Sequence, residues 1–274
     1  MVRFGCCLPL GAFAQQTSDV VEQLRLGLDA LHHNAYDFAE LGVGAVAGMS
    51  NEEFERAKEI VESSSIKVYA FNSFIPGNIS LTGPNVSMME AEEYVDKAMA
   101  RISAIGASYI VFGSGAARKV PDGFSKEMAL EQLASFLNMC ERYALRYNLT
   151  IAIEPLNKGE TNIINSVNEG LDLAKRVQRP HIKLLADLYH MLLENESADI
   201  IYKAHDYLVH THIANRDRLY PGAAERDGED IKPFFKALKE VGYNGGVSLE
   251  CRFNDFISES IRSLAYIKSL WQLA

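Results

Sequence analysis

Cysteine is scarce in this chain, and its placement indicates no crosslink. The 274 residues include only four cysteines: Cys6 and Cys7 are adjacent, Cys140 and Cys251 are isolated, and no CxxC occurs. Disulfide frameworks and thiolate zinc sites both need regularly spaced cysteines. The sequence therefore indicates neither.

Long apolar runs, basic clusters and nucleotide-binding loops are also missing. No stretch approaches the roughly 18 apolar residues of a membrane helix, and the N-terminus lacks the apolar core of a signal peptide. The net charge is −9 and no run of Lys or Arg stands out, which argues against nucleic acid or an anionic membrane as a partner. No Gly-x-Gly-x-x-Gly or Walker-type loop occurs. We therefore expect a cytoplasmic protein that binds neither nucleic acid nor a membrane.

What the chain does have is a regular alternation of short apolar runs and longer amphipathic stretches. This pattern predicts an α/β protein with eight strands, each followed by a helix, which is a (β/α)8 TIM barrel formed by residues 1–274 as a single domain. A doubly wound open sheet is the alternative, but it usually has five or six strands. The predicted strands are 4–8, 36–41, 67–71, 109–112, 151–154, 183–187, 208–213 and 247–250. The predicted helices are 18–33, 50–64, 88–105, 125–147, 165–178, 196–205, 229–241 and 258–271.

Four polar residues close the apolar runs of strands five to eight: Glu154, Asp187, His212 and Glu250. They are about one strand–helix unit apart, and a TIM barrel keeps its chemistry at the carboxyl ends of its strands. Three carboxylates and one imidazole suit Mn²⁺ or Mg²⁺, with Co²⁺ and Zn²⁺ as further candidates. The pattern predicts a site for one divalent metal ion.

A second set of polar residues lies shortly beyond these strand ends. Glu160, His190 and Arg218 could hold a polyhydroxylated ligand around the ion, because carboxylate, imidazole and guanidinium groups bind hydroxyl and carbonyl oxygens. His210 alternates with His212 on the same strand, so we expect it to be a buried core histidine rather than a fifth ligand.

The ordered motifs of the second half form a more specific pattern. They are Ile153-Glu-Pro-Leu-Asn157 with Glu160 and Asn162, Asp187-Leu-Tyr-His190, His210-Thr-His-Ile213 and Ser248-Leu-Glu250. Together they resemble the xylose isomerase-like TIM barrel superfamily, and within it the sugar phosphate isomerase/epimerase group that includes D-tagatose and D-psicose (allulose) 3-epimerases. The resemblance covers nearly the whole chain.

The resemblance implies an isomerase that inverts C3 of a ketose or ketose derivative through a metal-stabilised enediolate. It assigns Mn²⁺ or a similar ion to the four strand-end residues, with Glu154 and Glu250 also acting as acid and base on opposite faces of the substrate. It assigns Glu160, His190 and Arg218 to the first oxygens of the sugar. It also implies a homo-oligomer, either a dimer or a tetramer.

Departures from the epimerase pattern leave the substrate open. Asn215 stands where the epimerases usually have glutamate, Lys158 stands where arginine is common, and Arg216 competes with Arg218 for the guanidinium role. The alternatives are a lyase or dehydratase acting next to a ketone, an aldose–ketose isomerase of the hydroxypyruvate type, and a sugar-binding barrel without turnover. A DNA-repair endonuclease of the related endonuclease IV type is disfavoured, because it needs more histidines and a basic groove.

Overall fold

The computed structural model describes residues 2–274, and within that range eight parallel strands close into a barrel. The strands are β1 Arg3–Cys7, β2 Phe38–Gly42, β3 Lys67–Asn72, β4 Tyr109–Phe112, β5 Thr150–Ile153, β6 Ile182–Asp187, β7 Leu208–Ile213 and β8 Gly246–Leu249. Each strand pairs with its neighbours in chain order, and β1 pairs with β8 to complete the ring. The predicted TIM barrel is confirmed, because an open doubly wound sheet would have two unpaired edges.

Helices follow the strands and cover the outside of the barrel. They are α1 Val20–His33, α2 Val43–Ala47, α3 Asn51–Ser63, α4 Met88–Ile105, α5 Gly115–Arg118, α6 Lys126–Tyr147, α7 Val167–Val177, α8 Leu188–Leu193, α9 Ile200–Ala204, α10 Asp227–Glu240 and α11 Phe256–Leu273. Local signals start several of them: Ser50 and Glu53 form a capping box on α3, and the Ser125 hydroxyl accepts from Met128 N–H on α6. Both starts agree with the sequence.

The structure moves some boundaries. Glu154 and Glu250 each lie one residue beyond the end of their strand, because β5 ends at Ile153 and β8 at Leu249. The helix predicted over 196–205 is shorter, and another helix, α8, begins directly after β6. Asp187 caps α8 by accepting from Tyr189 N–H, a local signal without the apolar periodicity on which the prediction depended.

The apolar core lies mostly between the strands and the surrounding helices. Inside the barrel, by contrast, the apolar cluster is small and consists of Val111, Ala152 and Leu185. The fully buried polar side chains of Glu40, His210 and His212 occupy the space around it. Burying a polar group without a partner costs free energy, so these side chains are expected to be paired by hydrogen bonds. Such hydrogen bonds hold in place the functional groups at the mouth of the barrel.

Candidate active site

The four strand-end residues meet at the mouth of the barrel. His212 Nδ1 lies 2.9 Å from Glu154 Oε1 and 3.5 Å from Glu250 Oε2. Donor atoms of Glu154, Asp187, Glu250 and the nearby His190 all lie within 4.8 Å of one another, a grouping that could hold a metal ion. β5 and β8 flank β6 and β7, so the two glutamates approach Asp187 and His212 from opposite sides.

Hydrogen bonds distinguish the two histidines at this grouping. The backbone N–H of Asn157 donates to His190 Nδ1 at 3.1 Å, so in the neutral ring the proton lies on Nε2. This nitrogen faces the carboxylate oxygen Asp187 Oδ2 at 3.4 Å and also lies 3.4 Å from Arg218 Nη1, which is itself a donor. While it carries the proton it cannot bind an ion. His212 instead directs Nδ1 at the carboxylates, which makes it the better metal ligand of the two.

The donor set fits a hard divalent cation. Asp187 is 1% exposed, and among residues 2–274 no group reaches its Oδ2 with hydrogen-bond geometry, although His190 Nε2 lies 3.4 Å away. A buried carboxylate oxygen without a partner is costly unless a ligand or ion completes its coordination. Glu154 and Asp187 are both buried, and with Glu250 they supply oxygen ligands of the kind that Mn²⁺ and Mg²⁺ prefer.

The carboxyl groups of the site have divergent acidities. Burial, followed by the charge of Glu250, raises the pKa of Glu154, and the same two causes raise the pKa of Asp187 to about 7. Burial acts in the same direction on Glu250, but the neighbouring His212 and Arg218 outweigh it and hold the pKa of Glu250 below its usual value. The pKa values of the two glutamates are therefore shifted in opposite directions, as is typical of an acid/base pair.

Two of the three predicted substrate-binding residues, Glu160 and Arg218, line the same cavity, and the third, His190, is buried with its Nε2 3.4 Å from Arg218 Nη1. Arg218 Nη2 donates to Glu250 Oε2 at 2.6 Å, and Nη1 donates to Glu160 Oε1 at 3.3 Å. Arg216 lies elsewhere and pairs with Asp230 at 2.8 Å, so Arg218 is the guanidinium at the site. Arg218 has φ 58°, a left-handed conformation that is uncommon for residues other than glycine.

Several residues that shape the site were not predicted from the sequence. The cavity measures about 200 Å³ and is lined by Ser73, Ile75, Gly113, Ser114, Gly115, Ala116, Glu154, Leu156, Glu160, Arg218 and Glu250. Gly113 makes room for the Glu154 carboxylate, and the fully buried Arg118 donates to the backbone carbonyl of Glu154 at 2.8 Å. The glycines after β4 were a visible signal, whereas no local pattern indicates a buried arginine.

Comparison with known proteins agrees with this architecture. The family model of the xylose isomerase-like TIM barrel matches residues 28–269. An L-ribulose 3-epimerase of Methylomonas sp. is 26% identical over 245 residues, which cover 86% of this chain and 81% of that protein. A probable ketose 3-epimerase of Synechocystis sp. is 35% identical over 109 residues, covering 39% of this chain and 36% of that protein. These relatives are epimerases, and the chain is an enzyme of the isomerase class.

Solved structures show the same fold. A D-allulose 3-epimerase from Methylomonas sp., in complex with D-allulose, superimposes with a TM-score of 0.83 at 21% identity, covering 98% of this chain and 96% of that one. A 3-keto-D-glucoside 4-epimerase from E. coli gives a TM-score of 0.79 at 19% identity, with coverage of 98% and 100%. Within residues 2–274, no helix is long and apolar enough to cross a membrane. The chain belongs to the xylose isomerase-like TIM barrel family.

Proposed function

We propose that this protein is a metal-dependent sugar epimerase that inverts C3 of a ketose or ketose derivative. The observation that supports this most directly is the pair of glutamates, Glu154 and Glu250, on opposite sides of Asp187 and His212. Epimerisation removes a proton from one face of a carbon and returns one to the other face, so it needs two such groups. The relatives named as ketose 3-epimerases support the same reaction.

Glu154, Asp187, His212 and Glu250 would hold one divalent ion, for which Mn²⁺ is our first choice. When bound, the ion would polarise a substrate carbonyl and the neighbouring hydroxyl and so acidify the C–H between them. Glu154 and Glu250 would exchange the proton on the two faces of that carbon. The lowered pKa of Glu250 keeps this carboxylate ionised and able to accept a proton, and the raised pKa of Glu154 favours it as the proton donor in the direction that begins at Glu250.

Glu160, His190 and Arg218 would orient the sugar. The Nε2–H of His190 can donate to a substrate oxygen, because the Asn157 N–H already occupies Nδ1. Arg218 can offer a second donor while it remains paired with Glu250. The cavity of about 200 Å³ suits a small carbohydrate.

Solvent exchange tests the reaction. Metal-loaded protein is incubated with candidate ketoses in D₂O, and deuterium at C3 is followed by NMR together with inversion of that centre. We expect both with Mn²⁺, and neither in the Glu154→Gln and Glu250→Gln variants. Glu259→Gln is the matched control: Glu259 is also buried, but it accepts from Asn254 N–H at 2.7 Å, at the start of α11.

The remaining outcomes separate the alternatives. Loss of water or of an aglycone would indicate a lyase or dehydratase. Deuterium at the aldose–ketose carbons without inversion at C3 would indicate a 1,2-isomerase. Binding without any exchange would indicate a sugar-binding barrel, and inversion that persists in Glu250→Gln would contradict the two-glutamate mechanism.

We also propose that the protein forms a homo-oligomer, a dimer or a tetramer. Large apolar side chains are exposed on its outer helices, among them Met89 on α4 and Leu145 on α6, at 72% and 68%. Apolar side chains that are exposed on a single chain favour association when an interface between two chains buries them. Sedimentation velocity should give the mass of at least two chains, and a monomer at micromolar concentration would contradict this proposal.

A further inference from the structure

We propose that Glu40, on β2, is a positioning residue that orients the imidazole of His212 for metal binding. Glu40 is fully buried inside the barrel, 172 residues before His212 along the chain. Its Oε1 lies 2.9 Å from His212 Nε2, and its Oε2 lies 2.8 Å from His210 Nε2. Each oxygen of the carboxylate is therefore paired with one imidazole.

The chemistry of a carboxylate decides the protonation of both rings. An ionised carboxylate can only accept hydrogen bonds, so the facing Nε2 atoms of His210 and His212 must both donate. With its proton on Nε2, the His212 ring can offer the Nδ1 lone pair, and Nδ1 is the atom that faces Glu154 and Glu250. A carboxylate behind a metal-binding histidine commonly has this role.

The second histidine holds Glu40 in place. The His210 ring is stacked on Tyr109, with an interplanar angle of 9°, and lies 5.9 Å from the Phe38 ring and 6.0 Å from the Tyr69 ring. These aromatic neighbours restrict the ring, so its hydrogen bond fixes one oxygen of Glu40. The other oxygen is then directed at His212.

The same carboxylate could instead belong to a second metal site, because Cys7, Glu40 and His212 have donor atoms within 4.8 Å of one another. Both oxygens of Glu40 already accept from imidazoles, at 2.9 and 2.8 Å, whereas no hydrogen bond joins Glu40 to Cys7 among residues 2–274. Cys7 Sγ itself accepts from Asn72 Nδ2 at 3.3 Å. The contacts therefore favour positioning over coordination by Glu40.

Glu40→Gln isolates this role with little change in shape. A glutamine has an NH₂ group in place of one of the two oxygens, so one of the two facing Nε2–H groups would meet a donor instead of an acceptor. One of the two imidazoles must then lose its hydrogen bond or move its proton to Nδ1. Glu40→Ala removes the partner of both rings.

The positioning role of Glu40 rests on the proposed role of His212 as a metal ligand. Two measurements distinguish failure of the first proposal from failure of the second. Titration calorimetry with Mn²⁺ compares the wild type, Glu40→Gln, Glu40→Ala and the buried control Glu259→Gln. We expect affinity to fall about 10- to 100-fold in the two Glu40 variants and to stay unchanged in the control. A stoichiometry of one ion per chain is expected, and two ions would support the Cys7 site instead.

Nitrogen-15 NMR of the histidine rings in the metal-free wild type reports on Glu40 directly, whether or not the variants fold. We expect protonated Nε2 signals from both His210 and His212, and the loss of at least one in Glu40→Gln. An unprotonated Nε2 in either ring, or unchanged Mn²⁺ affinity in a folded Glu40→Gln, would overturn the positioning role. If His212→Asn bound Mn²⁺ like the wild type, the metal-site proposal would fail, while the ring signals would still test Glu40.

Discussion

Gly113 leaves the space that the Glu154 carboxylate occupies. A Cβ at this position would lie 2.3 Å from Glu154 Oε2, far inside van der Waals contact. Gly113 is not among the residues with positive φ, so its substitution strains no backbone dihedral and acts on the carboxylate alone. Glycine is therefore needed at position 113 to leave space for the Glu154 carboxylate, and not to allow a particular backbone conformation.

We expect Gly113→Ala to lower turnover at least tenfold while the protein stays folded, because the methyl group displaces Glu154. A shift of about 1 Å in a catalytic group is enough for such a loss. Activity and the melting temperature should be measured together. Gly44→Ala on α2 is the control, since its Cβ would meet no atom of residues 2–274 within 4 Å, and equal activity of the two variants would contradict the prediction.

Asp187 predicts the pH dependence of stability in the metal-free protein. Its pKa is raised to about 7 by burial and by Glu250, against about 3.9 in an unfolded chain. Between these values the folded state binds more protons, so stability falls as the pH rises, by at most about 1.4 kcal/mol per pH unit. Urea unfolding in EDTA should show this loss between pH 5 and 7 in the wild type.

The Asp187→Asn variant should lack this loss, because its amide does not titrate. It should therefore be more stable relative to the wild type at pH 7 than at pH 5. The variant should also bind Mn²⁺ far more weakly, since a ligand oxygen is replaced by an amide. Identical pH profiles in the two proteins would show that Asp187 titrates normally.

At the level of secondary structure elements, Arg118 at the end of α5 joins the ends of two strands. Its guanidinium is fully buried. It donates to the carbonyl of Phe112, the last residue of β4, at 3.0 Å and to the carbonyl of Glu154, the first residue after β5, at 2.8 Å. Burial lowers the pKa of Arg118 to about 10, which leaves it charged at neutral pH. The backbone at Glu154 is thus fixed by a charged donor from outside its own strand.

We expect Arg118→Met to destabilise the protein by about 2 kcal/mol or more, because two buried carbonyls each lose a charged donor. Denaturant unfolding measures the change. Arg142→Met is the control, since Arg142 forms an exposed ion pair with Glu92 at 2.7 Å and should cost less than about 1 kcal/mol. Equal losses in the two variants would contradict a special role for Arg118.

For the whole molecule, we propose that residues 1–274 unfold as one domain. The pairing of β1 with β8 makes the first and last strands neighbours, so neither end of the sheet can separate without opening the barrel. Calorimetry of the metal-free protein should show one transition with equal calorimetric and van't Hoff enthalpies. Two resolved transitions would indicate separate units.

Metal binding should stabilise the whole barrel, because the four proposed ligands lie at the ends of four different strands. At a free Mn²⁺ concentration 100 times the Kd, the gain is about 2.7 kcal/mol, which EDTA should reverse. In Asp187→Asn the same Mn²⁺ concentration should give a much smaller increase in melting temperature. An equal increase in both proteins would show that the ion acts elsewhere.

The sequence by itself determined the barrel and the identity of the strand-end residues. Apolar periodicity, capping motifs and residues such as Asp187 are local features, and a regular order of strands brings their ends to one face. Only the tertiary structure decided which atoms meet there: Nδ1 of His212 faces the carboxylates, Arg218 rather than Arg216 enters the cavity, and Glu40 supports His212 from β2. These pairings join residues far apart in the chain, and no local pattern specifies the distance or the protonation on which they depend.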